Sequence, residues 1–152
     1  MNDIKAYLIT FVGALFTLLA PIYYFIVAML ILFGANFVFG RIAAVVHDEP
    51  WSFKKAFKFF YHVAIFLAVI VLIFLVGYCM NNEKEAIALV KIFCYLTIYI
   101  FGTNIFRNLC NIAPKGSSWY KLFDLCYYVL NVKFIEKFSF IKKWQEENKE
   151  QK

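Results

Sequence analysis

Few side chains in this sequence could do chemistry, and they fall into three sets. His47-Asp48-Glu49 brings three titratable groups together, and His62 follows beside Tyr61. A metal or proton role needs groups that converge. Adjacent residues on a helix point in different directions, so a solvated loop is the expectation for the trio. His62 reads as an interfacial histidine. The second set is Cys79, Cys94, Cys110 and Cys126, which form no CxxC or other metal spacing. They are expected as small apolar side chains, with no metal site and no disulfide framework. The third set is two amides, Asn36 and Asn104, each inside an otherwise apolar run. No GxSxG, HExxH or phosphate-binding loop is present. We therefore expect no enzyme, no cofactor and no nucleic-acid partner.

The elements that hold these residues are apolar to an unusual degree. From Ala6 to Gly40 the chain runs 35 residues without a charge. Phe59–Asn82 gives 24 more and Ile92–Phe106 another 15, extendable upstream past Lys91 to Ala86. A charge at the bilayer centre costs ~2.5–3.5 kcal/mol on insertion scales, whereas Leu, Ile, Phe and Val each favour insertion. Hydrophobic residues make up 63% of the 152, against ~45–50% in soluble domains. A chain of this length cannot bury three such segments in its own interior. The fold class is an all-α integral membrane protein with spans near 6–40, 59–80 and 86–106, and its partner is the lipid bilayer. No short apolar core is followed by a small-residue cleavage site, so the first segment is expected to be retained.

A span needs ~20 apolar residues, and 6–40 has nearly twice that. Pro21 lacks an N–H and clashes with the preceding turn, so a helix over 4–20 should end or kink there and a second should follow to Val46. Two arrangements fit: one kinked span, or a short membrane-embedded helix before a full span. A hairpin at Pro21 would raise the count to four spans and move Met1 to the other side. Ser52 is placed to cap the next helix. Gly77 and Asn81-Asn82 should end it, with Glu83-Lys84-Glu85 as a short loop.

Cations set the orientation. Arg41, Lys54, Lys55 and Lys58 lie between the first two spans, and nine Lys or Arg residues follow the last. Both regions are expected on the cytoplasmic side. Trp51, Lys54, Lys55, Lys58, Trp119 and Lys121 are expected to anchor the chain at the membrane interface. Ala113–Ser118 reads as a linker. The stretch 119–143 should form an amphipathic interfacial helix, on Trp119, Leu122, Phe123, Cys126, Leu130, Phe134 and Phe138. The residues 144–152 read as a charged tail.

An amide deep in a span needs a partner and usually faces another helix. Asn36 and Asn104 are expected at helix–helix contacts, either between subunits, along a pore, or within one chain. Gly34, Gly40 and Gly102 would allow close approach.

The order of blocks resembles the small holins of tailed bacteriophages, in particular the toxin-secretion/phage-lysis group. One family block is an apolar span ending in Leu-Asp-Tyr-Ile-Thr-Gly, then an Ala-rich helix, a Ser-containing loop and a basic segment. Here Leu32–Gly40 continues through Arg41-Ile42-Ala43-Ala44 and Trp51-Ser52-Phe53-Lys54-Lys55. Asn36 stands where the family has Asp, and Gly40 where it has Gly. The second block is a last span ending Ser-Ile-Leu-Glu-Asn-Leu before a Gly/Pro stretch. Here it reads Thr103-Asn104-Ile105-Phe106-Arg107-Asn108-Leu109, so Asn108 keeps the pattern and Arg107 replaces Glu. The resemblance implies a protein that oligomerises in the host cytoplasmic membrane and opens lesions through which an endolysin acts. It adds Asn108 to the expected oligomer contacts. A non-lytic anchor, or an antiholin, docking a partner through the C-terminal helix is the alternative.

Overall fold

The computed structural model describes residues 2–137, with side chains over 4–132. The expected end of the C-terminal helix (138–143, with Phe138), the tail 144–152 and the side chain of Phe134 lie outside the described residues. Every regular element described is helical: α1 (Asn2–Leu18), a 3-10 turn (Ala20–Ile22), α2 (Tyr23–Val46), α3 (Phe53–Cys79), α4 (Glu83–Ile112) and α5 (Ser118–Lys137). Helices are what hydrocarbon permits, because each satisfies its own backbone groups.

The first charge-free run breaks where Pro21 dictates. Leu19, at φ −86 and ψ 0, ends α1, and its carbonyl accepts from Ile22 N at 3.0 Å. The helical backbone resumes at Tyr23. Ala20–Val46 is long and apolar enough to cross a membrane, as are Phe53–Cys79 and Glu83–Ile112. The part Ile4–Leu18 is a shorter apolar helix. At 1.5 Å per residue it reaches about 22 Å, short of the ~30 Å hydrocarbon core. The chain thus takes the form of a short apolar helix before a full span, with three candidate spans.

The turns that stop α2 and α3 share one design. Asp48 has φ 55, with Asp48 N donating to Val45 O and Glu49 N to Ala44 O. Asn81 has φ 55, with Asn81 N donating to Tyr78 O and Asn82 N to Gly77 O. Both are Schellman caps with Asp or Asn where Gly is usual. The second cap uses so few residues that Glu83-Lys84-Glu85, expected as a loop, forms the first turn of α4. Glu83 and Glu85 there complement the helix dipole. Ser52 caps α3 as expected, its Oγ accepting from Lys55 N at 3.3 Å. Ser117 does the same for α5, accepting from Tyr120 N at 3.1 Å, after a turn in which Gly116 has φ 85.

The chain divides into two compact units. The first holds α1, the start of α2 through Ile31, α3, and α4 through Tyr95. Its buried side chains are spaced to share one face on each helix: Ile22 and Met29, Ile70 and Phe74, and Ala86, Val90 and Cys94. A Cβ on Gly77 would overlap the Cβ of Ala86, so any other residue there forces the α3–α4 hairpin to shift. The second unit holds α2 from Leu32, the loop to Trp51, and α4 from Leu96 with α5. In no span is more than 28% of the most apolar window buried. Most residues of each span keep some surface uncovered by the described residues.

Gly77→Ala should destabilise the hairpin by about 1–3 kcal/mol through overpacking. Gly13→Ala, where a Cβ meets nothing within 4 Å, should leave stability unchanged or slightly raised. Unfolding of both variants in bicelles checks the contrast.

Candidate functional site: a polar seam between two spans

The amides gather in the second unit, where α2 and α4 touch twice. Phe33 and Phe101 meet edge to face at 4.9 Å. A Cβ on Gly40 would stand 3.4 Å from Asn108 Nδ2. Seven residues separate these contacts on each helix and the order is the same. The two segments therefore run parallel in constant register, as expected when α3 carries the chain back between them. Counting three residues on from the Phe33–Phe101 contact places Asn36 level with Asn104.

The two amides differ in their bonding. Asn104 Oδ1 accepts from Arg107 Nη2 at 2.7 Å. Asn36 Oδ1 is buried with no hydrogen-bond partner among the described residues. A carbonyl held this way costs roughly 1–3 kcal/mol, because it has lost water and gained no donor. Asn36 lies seven residues from both Met29 and Ala43, which are buried, so it belongs to the inward stripe of α2. Gly40 and Asn108 lie on the same seam. Gly34 does not: it is exposed, with nothing within 4 Å of a Cβ. Gly102 is buried, and its neighbour is Leu130 of α5, whose Cδ1 would lie 3.4 Å from a Cβ.

The end of the seam carries cations. Arg41 follows Gly40 and Arg107 precedes Asn108, so both stand beside the same interhelical contact. The Arg41 guanidinium lies 5.1 Å from the centroid of the Trp51 ring, and Arg41 Nη1 donates to Glu49 O at 3.3 Å. Phe37 meets Trp51 edge to face at 6.2 Å. This ties the loop after α2 down onto α2. Lys54, Lys55, Lys58, Trp119 and Lys121 are exposed, and Trp119 stacks on Phe123.

The titratable trio has a structural task. His47 and Asp48 close α2, and Glu49 supplies a backbone donor and acceptor to that cap. His62 bonds through Nδ1 to Lys58 O within its own helix. No group of three His, Cys, Asp or Glu side chains among the described residues could hold a metal, and all four thiols are free.

Sequence reasoning missed Tyr99 and Asn131. Tyr99 Oη donates to Asn131 Oδ1 at 3.1 Å, and Asn131 Nδ2 donates to Tyr127 O. The signal was available: Asn131 is a lone amide in the charge-free stretch 125–132, as Asn36 and Asn104 are in theirs.

Three long apolar helices, cationic turns and a seam of amides define a small polytopic membrane protein with no assembled catalytic constellation among the described residues. The model of the bacteriophage holin family matches residues 13–119, which takes in α2, α3 and α4 entirely. The chain belongs to that family. No curated protein and no solved structure matches it.

Asn36→Leu removes an acceptor that has no donor, so it should stabilise the folded chain by about 1 kcal/mol. Asn104→Leu deletes the bond to Arg107 and should be neutral or destabilising. Unfolding in bicelles orders the two; a clear loss for Asn36→Leu would show that its carbonyl is bonded.

Proposed function

We propose that this chain is a holin of the host cytoplasmic membrane that accumulates there, self-associates, and opens lesions that let an endolysin reach the cell wall. Its C-terminus faces the cytoplasm, with the cations of the 41–58 segment on the same side. The family match over residues 13–119 carries this reading. Two features of the chain support it. Few residues of each span are fully buried within the chain, which leaves surface for neighbouring copies. The orphaned Asn36 carbonyl also gives the closed seam a built-in cost, which a donor from another chain or water in a lesion would relieve.

Relief of that cost ties the seam to timing. Asn36→Leu should delay lesion opening, because the closed form no longer carries the unsatisfied group.

The chain is induced in a bacterium while membrane potential and turbidity are followed, with and without a co-expressed muralytic enzyme. Abrupt depolarisation at a reproducible time, with lysis only when the enzyme is present, is the expected result. Sustained growth at intact potential, once insertion is verified, would overturn it in favour of an antiholin or anchor. In the same assay, an unchanged onset for Asn36→Leu would remove the seam from the mechanism.

A further inference from the structure

The contacts of α5 place it along α4 rather than away from it. Leu130 lies against Gly102, Asn131 bonds Tyr99, and Cys110 lies within electrostatic range of Asp124 and Cys126. Positions on α5 rise as positions on α4 fall. The two helices therefore form an antiparallel hairpin joined by the Pro114–Ser117 turn.

This register fixes depth, given that α4 crosses the bilayer. Arg107 ends the apolar run of α4. Gly102 lies five residues inside it, about 8 Å along the axis. Leu130 is carried to that depth with it, while Trp119 and Lys121 stay beyond the Arg107 level. The sequence of α5 changes at the same place. Between Asp124 and Lys133 eight residues, 125–132, carry no charge.

A helix lying flat in an interface needs a polar face for the water. Residues 125–132 carry no charge on any face, and their polar groups are the Asn131 amide and the Tyr127 and Tyr128 hydroxyls. Cys126, Tyr127 and Leu130 are half-buried, and the opposite face shows Leu125, Tyr128 and Val129, each at least 45% exposed. Asn131, with the one amide in the stretch, spends it on Tyr99 and the α5 backbone. That bonding is what an amide needs in hydrocarbon.

We infer that α5 enters the bilayer: its first two turns sit at the interface, and residues 125–132 are immersed in the leaflet at the Arg107 end of α4, with Leu125, Tyr128 and Val129 against lipid acyl chains. The family match stops at residue 119, so α5 beyond its first two residues lies outside what the family model covers.

The test uses the full-length chain, its four cysteines replaced by alanine, in lipid vesicles. A polarity-sensitive fluorophore is attached through Val129→Cys, Tyr128→Cys or Lys121→Cys. Positions 128 and 129 should be quenched by a nitroxide on the lipid acyl chain and should be at least fivefold less accessible to aqueous iodide than position 121. Equal iodide quenching at all three positions, with the protein shown to be inserted, would overturn the inference. The measurement reads placement and not lesion formation. A chain that fails to depolarise cells but shows protected 128 and 129 would refute the holin reading alone.

Discussion

Close approach of helix backbones is the constraint on which this structure depends. Lipid tails are as apolar as leucine, so no hydrophobic effect pulls spans together in hydrocarbon. Packing and interhelical hydrogen bonds must do it. Gly77 admits Ala86 where α3 turns back into α4, Gly40 admits the Asn108 amide between α2 and α4, and Gly102 admits Leu130 of α5. The Gly77 contact would be pushed apart by any side chain, whereas at Gly40 and Gly102 a Cβ would just meet its neighbour at 3.4 Å. The remaining helical glycines, Gly13 and Gly34, face open space among the described residues.

The same weakness of association gives the polar groups their weight. Interhelical hydrogen bonds in membrane proteins average only about 0.6 kcal/mol, yet an amide without a partner there costs more than that. Asn131 and Tyr99 satisfy each other, and Asn104 is held by Arg107. Asn36 remains the exception, with a buried and unpartnered carbonyl. A seam satisfied throughout would hold α2 and α4 together more firmly.

Turn chemistry links the helices with very little loop. Schellman caps at Asp48 and Asn81 stop α2 and α3 within a few residues. The candidates for catalysis at 47–49 are thereby taken up in ending a helix, and Arg41 and Trp51 fold the loop back against α2. Helix ends in hydrocarbon or at its border leave carbonyls that need donors, and these caps provide them from the backbone itself.

Much of this was legible along the chain. The charge-free runs determined the class of fold and the three long helices. Pro21 determined the break in the first run, and Ser52 the start of α3, because these follow from composition, from a missing N–H and from a side chain three residues from its donor. The resemblance to holins was carried by Leu32–Gly40 and Thr103–Leu109. Tertiary structure decided which polar groups meet. Asn36 and Asn104 are 68 positions apart in sequence, and only the parallel register of α2 and α4 sets them level. The same holds for Asn131 and Tyr99, which depend on α5 folding back along α4. Periodicity names the residues on a helix face, but it carries no information about which other helix that face will meet.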